Sequence, residues 1–194
     1  MSTELPVLSA AELRAAGRAP HTPFTVRLAD GGLLRIERLL RVLPGKRVVG
    51  QGVWHGRAVL IKLFVAPGSE RHWQRERDGL AALAGAALAT PPVLEAAALP
   101  DGGYVLLTAW LDGAETLADG WAALPVAPVG AAAPLALLAS ACAALGRMHA
   151  AGLVHDDAHL GNFLRYAGTL CVIDGDAVRA LPTGAGAALA ANFA

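Results

Sequence analysis

MHAAGLVHDDAHLGNFLRYAGTLCVIDGD, residues 148–176, holds the densest polar cluster of the chain. Within it VHDDAHLGNFL (154–164) carries two histidines, two adjacent carboxylates and an amide, and CVIDGDAVR (171–179) follows. Asp157 and Asn162 stand five residues apart, and Asp174 comes twelve later at the end of an apolar, β-like run. Carboxylate and amide oxygens suit a hard cation such as Mg²⁺, which prefers oxygen ligands and keeps some water. A separate carboxylate nearby can accept a proton from an attacking hydroxyl. Any one of these residues alone reads more often as a cap or an Asx turn. All of them together, bracketed by the apolar runs Leu153-Val154 and Leu170–Ile173, read as a candidate catalytic segment.

Upstream of this segment, Leu135–His149 is apolar nearly all round, which predicts a buried helix, with Gly152 as its C′ residue. The Pro/Gly/Ala-rich stretch 119–134 predicts a loop. Earlier still, residues 24–64 are Val/Leu/Ile-rich segments punctuated by Asp30-Gly31-Gly32, Pro44-Gly45 and His55-Gly56, a meander of antiparallel strands. A helix is expected over 70–88, a short segment over 93–98 and an apolar strand over 104–110. Residues 7–17 predict a short helix with Ser9 as N-cap and Glu12 completing a capping box. The order of elements predicts an α+β chain with a sheet lobe first and a mainly helical lobe second.

Two residues of the first lobe are out of place for their types. Lys62 lies inside the apolar strand RAVLIKLFV, although a lysine on the solvent face of a hairpin reads the same way. Glu76 shares a helix face with Trp73, Leu80 and Leu83, so its carboxylate enters the apolar stripe and needs a positive partner, unless it reaches solvent at the stripe edge. Glu70, Arg75 and Arg77 read as the solvated face of that helix.

Composition bounds the rest. Sixteen basic and sixteen acidic residues balance, so no global field draws in nucleic acid. Cys142 and Cys171 form no CxxC pair and are expected to be buried thiols in a reducing compartment. The N-terminus lacks the basic start and apolar run of a signal peptide, and the apolar region Leu135–Leu145 is too short to span a bilayer. A cytoplasmic location is expected.

The segment 148–176 resembles the catalytic segment of the protein-kinase-like fold. That fold runs from a helix ending in Leu/Met-His, through an His-x-Asp-x-x-x-x-Asn loop, to a strand ending in a metal-binding Asp. The His-x-Asp-x-His-x-x-Asn form and the Asp-Gly-Asp, where Ser/Thr kinases have Asp-Phe-Gly, resemble small bacterial relatives, above all the lipopolysaccharide (Kdo and core-heptose) kinases. The resemblance covers roughly residues 24–180. It implies ATP and Mg²⁺ as cofactors and a sugar or glycolipid hydroxyl as acceptor, with a peripheral contact at the cytoplasmic face of the inner membrane. It implies that Lys62 holds the α/β-phosphates with Glu76 as its partner, that Asp157 is the catalytic base, and that Asn162 and Asp174 are metal ligands. His155 would brace the loop, and His159 takes the place of the lysine common in protein kinases. Backbone groups of residues 108–111, Ala109 and Leu111 among them, would meet the adenine at the hinge.

Domain bounds on this reading are an N-terminal extension (1–23), an N-lobe with hinge (24–113) and a C-lobe (114–194) that reads as short or truncated. The phosphate-covering turn departs from the family pattern: Leu43-Pro44-Gly45-Lys46-Arg47 has one glycine and two cations, with Gly45 and Lys46 the phosphate-contact candidates. Gly50-Gln51-Gly52 falls inside a strand. Two other functions remain open on the sequence: a non-catalytic kinase-like binding module, and a small-molecule or protein Ser/Thr kinase of the same fold. A zinc hydrolase built on His149, His155, Asp156, Asp157 and His159 leaves Lys62 and Glu76 unexplained.

Overall fold

The structure, a computed structural model, describes residues 4–124 and 132–181. The expectation of a C-lobe that ends short falls on 182–194, outside the described residues, as does the middle of the 119–134 connection. The chain divides into two compact units, Met1–Arg77 with Pro92–Trp110, and Asp78–Pro91 with Leu111–Ala194.

The first unit is a six-stranded antiparallel sheet in the order β1-β2-β3-β4-β6-β5. Its strands are β1 (Phe24–Arg27), β2 (Leu33–Leu43), β3 (Arg47–Trp54), β4 (Arg57–Phe64), β5 (Val93–Ala98) and β6 (Tyr104–Ala109). The alternation that predicts them follows from burial: Leu34, Ile36, Val59, Ile61, Leu63, Val105 and Leu107 form one core, each at most 1% exposed. Helix α1 (Ala10–Ala15) closes that core with Ala10 and Leu13. Burying the Leu13 side chain contributes about 2 kcal/mol. The capping box is present, with the Glu12 amide donating to Ser9 Oγ and the Ser9 amide to Glu12 Oε2. Two tertiary bonds hold the helix down, from the Ala10 amide to Asp101 Oδ2 (2.8 Å) and from Arg14 to the Val65 carbonyl (2.6 Å).

Gly50 and Gly52 serve the sheet itself. The β2–β3 register shifts between Ile36 and Arg38 and again between Leu39 and Arg41, directly opposite these glycines. A Cβ on Gly52 would lie 1.9 Å from the Arg35 carbonyl oxygen, and one on Gly50 2.8 Å from that of Arg38. The bulges bring backbone against backbone, and only glycine fits. The β2–β3 corner follows from Pro44 and from Gly45 at φ 68°, as a type II turn requires. The Lys46 amide closes it on the Leu43 carbonyl. Arg47 lies over the Phe64 ring, and Arg38 bonds Gln51 and lies over Trp110.

Helix α2 (Glu70–Gly85) ends three residues earlier than expected. The second unit takes its C-terminal half, α3 (Leu117–Ala122), α4 (Ala132–Ala150) and five short strands. These strands are β7 (Glu115–Thr116), β8 (Leu153–His155), β9 (Phe163–Tyr166), β10 (Thr169–Val172) and β11 (Val178–Ala180). They form a β10-β9-β7 sheet and a β11-β8 pair. Two expectations need correction. Part of the stretch 119–134 is helical, because Thr116 and Asp119 form a capping box that starts α3. Helix α4 is not buried all round: Leu137, Ala141, Ala144, Leu145 and Met148 line its packed face, while Leu135 and Leu138 are 54% and 41% exposed. Alanine raises the apolar count of a helix without demanding burial. At 19 residues α4 is, among the described residues, long and apolar enough to cross a membrane by length and composition alone. Gly152, at φ 74°, ends it as expected, its amide donating to the His149 carbonyl.

Gly52→Ala should destabilise the protein by about 3 kcal/mol through overpacking, read as a lower urea midpoint at unchanged slope. The cysteines differ from expectation, for Cys171 is buried while Cys142 is exposed. Burial pushes the Cys171 thiol up from its ordinary range. An aromatic disulfide reagent at pH 8 should therefore label one thiol in the native protein and the second only after denaturation.

Candidate functional site

In the first unit, Lys62 lies on the face of β4 opposite the core residues Val59, Ile61 and Leu63. Its Nζ meets Glu76 Oε1 at 2.5 Å, and the Glu76 side chain is 1% exposed against 15% for Lys62. The two misplaced residues of the sequence are thus each other's partners. Trp73, one turn earlier on α2, sets the rotation of the helix. Its Nε1 donates to the Val105 carbonyl (2.9 Å), its ring stacks on Tyr104, and Arg77 covers it at 5.0 Å. Arg77 therefore belongs to this anchor and not to a freely solvated face. A buried ion pair is weak evidence for stability, since an apolar pair of similar size packs as well. Its presence points to a use for the ammonium.

In the second unit, β8 delivers the polar loop. His155 is fully buried. Its Nδ1 accepts from the Asp157 amide (3.3 Å), which assigns the ring proton to Nε2, facing the Ile173 carbonyl at 3.0 Å. One ring thus braces the loop against the chain entering Asp174. Asn162, 7% exposed, donates from Nδ2 to the Asp157 carbonyl (2.9 Å), and its own carbonyl accepts from the Ile173 amide (3.0 Å). That orientation leaves Oδ1 as the amide's ligand atom. Asp174 adopts a left-handed backbone, φ 66° and ψ 65°, before a 3-10 turn over Gly175–Ala177. This conformation costs a non-glycine residue about 1–3 kcal/mol, and such strain is found where a site requires it.

The adjacent carboxylates part company here. Asp156 is held at 2.6 Å by Arg179, whose guanidinium also bonds the Asp176 carbonyl, and the Asp156 amide donates to the Ala177 carbonyl. Asp157 has a 63% exposed side chain, 3.6 Å from His159 Nε2. His159 Nδ1 accepts from the Gly161 amide, so the Nε2 proton points to that carboxylate. Sequence reasoning missed Arg179, whose only signal was its place just after Asp-Gly-Asp.

The donors fit Mg²⁺ chemically: one carboxylate and one oriented amide oxygen, both hard, leave positions for water and phosphate. Among the described residues no group of three or more His, Cys, Asp or Glu side chains is placed to hold a metal. With both His155 ring nitrogens engaged and Asp156 bound to Arg179, the zinc arrangement is not assembled. At the β2–β3 corner Gly45 has its backbone in the turn, its neighbour's amide is taken by Leu43, and Lys46 is exposed. At the end of β6, the Ala109 amide donates to the Pro92 carbonyl and the Trp110 amide to the Ala58 carbonyl, while the Leu111 carbonyl accepts from Ala114.

No protein-family model and no curated protein matches the chain. Among solved structures it is similar to vaccinia related kinase 3, with a TM-score of 0.53 and 14% identity over 90% of this chain and 58% of that one. The fold is protein-kinase-like. The chain spans less than two thirds of the length of that kinase structure, and at this identity the likeness concerns the fold alone.

Removing the ammonium partner of a carboxylate this deeply buried should cost about 3 kcal/mol in Lys62→Met. The double variant Lys62→Met/Glu76→Leu should recover most of that loss in urea melts. A double variant no more stable than the single would refute the pairing as the source.

Proposed function

We propose that the chain is an ATP- and Mg²⁺-dependent phosphotransferase acting on an alcohol, with a sugar hydroxyl of lipopolysaccharide core as acceptor. The observation that carries the reading is the bonded Lys62–Glu76 pair in a chain whose second unit separately presents Asp157, Asn162 and Asp174 on one braced loop-and-turn. Lys62 binds the α/β-phosphates, aimed by its contact with Glu76. Asn162 and Asp174 hold the Mg²⁺, which when bound offsets charge on the phosphates. The Ala109 carbonyl and Leu111 amide take the adenine edge, and Gly45 and Lys46 approach the phosphates from the β2–β3 corner.

Asp157 is the base. It is exposed to an incoming hydroxyl, whereas Asp156 is occupied by Arg179. As the acceptor oxygen bonds to the γ-phosphorus, the bond from that phosphorus to the bridging oxygen breaks, ADP leaves, and the hydroxyl proton passes to Asp157. Positioning and charge placement supply most of the catalysis in such transfers. With a lipopolysaccharide acceptor goes a cytoplasmic location with peripheral contact at the inner membrane.

The β2–β3 corner favours a second reading. Its single glycine and its internally bonded Lys46 amide leave little backbone for phosphates, as in a kinase-like module that binds without turnover.

Melting with and without Mg²⁺–ATP tests both readings. A site at a hundred times its Kd adds about 2.7 kcal/mol, several degrees here, and Asp174→Ala should lose the Mg²⁺-dependent part. Asp157→Ala should keep the shift while turnover on core sugars falls about 10²–10⁴-fold. A shift with no transfer in wild type would establish the binding module, and full turnover in Asp157→Ala would overturn the base.

A further inference from the structure

Helix α2 carries a glycine in its interior, the poorest helix former after proline. A Cβ on Gly79 would lie 2.0 Å from the carbonyl oxygen of Gly175, 2.6 Å from its carbonyl carbon and 2.8 Å from its Cα. These are backbone atoms, so no rotamer change relieves the overlap. Other helical glycines are different: a Cβ on Gly85 or on Gly146 of α4 meets nothing within 4 Å, and one on Gly120 of α3 meets only the ends of the Arg165 and Glu115 side chains. Gly79 is therefore not a casual helix glycine. It lies where α2 and the turn after Asp174 touch main chain to main chain.

That turn is sharply defined. Asp174 is left-handed, its carbonyl accepts from the Ala177 amide (3.1 Å), and the residue before it is bonded to Asn162. With φ and ψ set in this way, the carboxylate stands where the Gly175 peptide is held, and α2 supports that peptide from one side.

We propose that Gly79 is a positioning residue for Asp174: the bare backbone at 79 is the seat for the Asp174–Ala177 turn and so sets where the carboxylate stands. The use made of that carboxylate rests on the metal role proposed above, while the seat itself does not. Any side chain at 79 must lift the Gly175 peptide and with it the Asp174 main chain. The change would be felt first by whatever the carboxylate binds.

The test compares wild type, Gly79→Ala and, as control, Gly146→Ala. Alanine at 146 should hold or raise the melting temperature, since it improves helix propensity and meets nothing. Alanine at 79 should raise amide exchange at residues 173–177 about tenfold or more in the ligand-free protein, with no such change in Gly146→Ala. With nucleotide, Gly79→Ala should keep the shift caused by ATP in EDTA and lose the further rise on adding Mg²⁺. A general loss of stability would lower both melts equally and leave that Mg²⁺ increment intact.

Unchanged exchange at 173–177, or a Mg²⁺ increment equal to that of a responsive wild type, overturns the positioning role. A wild type without any Mg²⁺ increment overturns the proposed function instead, and the exchange readout then decides the seat by itself. Should Gly79→Ala fail to fold, exchange of the wild type in rising urea replaces it. Amides 79–83 and 173–177 opening at one common free energy support the seat, and separate openings overturn it.

Discussion

A carboxylate 1% exposed in an apolar helix stripe is costly without a positive charge against it, and much of the first unit follows from that demand. Lys62 meets it from the centre of the sheet, with β3 on one side of β4 and β6 on the other. For the contact to form, α2 must present Glu76 to β4 and no other side of itself. Trp73 provides this by bonding Val105 and stacking on Tyr104, both on β6. The glycine-backed bulges between β2 and β3 let the sheet twist while its core stays closed. A leucine–methionine pair would fill the same space more simply, and the proposed function is what gives the charge a use.

The second unit answers a different demand, that of holding oxygen atoms apart from the hydrogen bonds that would consume them. His155 and Asn162 take up backbone groups of the loop and of residue 173. Arg179 takes up Asp156. These three side chains do not take up the Asp157 carboxylate, which faces His159. What distinguishes the two adjacent aspartates is thus their partners.

Much of this is legible from residue order because it rests on short-range chemistry. Ser9 and Glu12 are three apart, and a capping box needs nothing else. Lys62 and Glu76 each stand out from the pattern of the element they sit in, and the kinase-like resemblance of the later segment is what makes each the other's expected partner. The five- and twelve-residue spacings of the polar segment survive because loop and hairpin lengths set them. Other features are not legible. Strands of two to four residues such as β7 and β11 are shorter than any periodicity that would reveal them. The exposed side of α4 is hidden by alanine, which counts as apolar yet buries little area. Arg179 and Gly79 acquire meaning only from what tertiary folding places beside them. On the proposed function, acceptor choice would depend on surface shape, to which hydropathy and spacing are blind.

Trp73 has an optical consequence. Of the four tryptophans it alone is buried, at 8% exposure, while Trp121 is exposed and Trp54 and Trp110 are intermediate. Its indole contacts both a phenol ring and a guanidinium one helical turn from Glu76. The blue edge of the emission spectrum therefore belongs to that indole, and the red edge to the others. Excited at 295 nm, the protein carries its own gauge of how α2 lies against the sheet, with no dye or label attached.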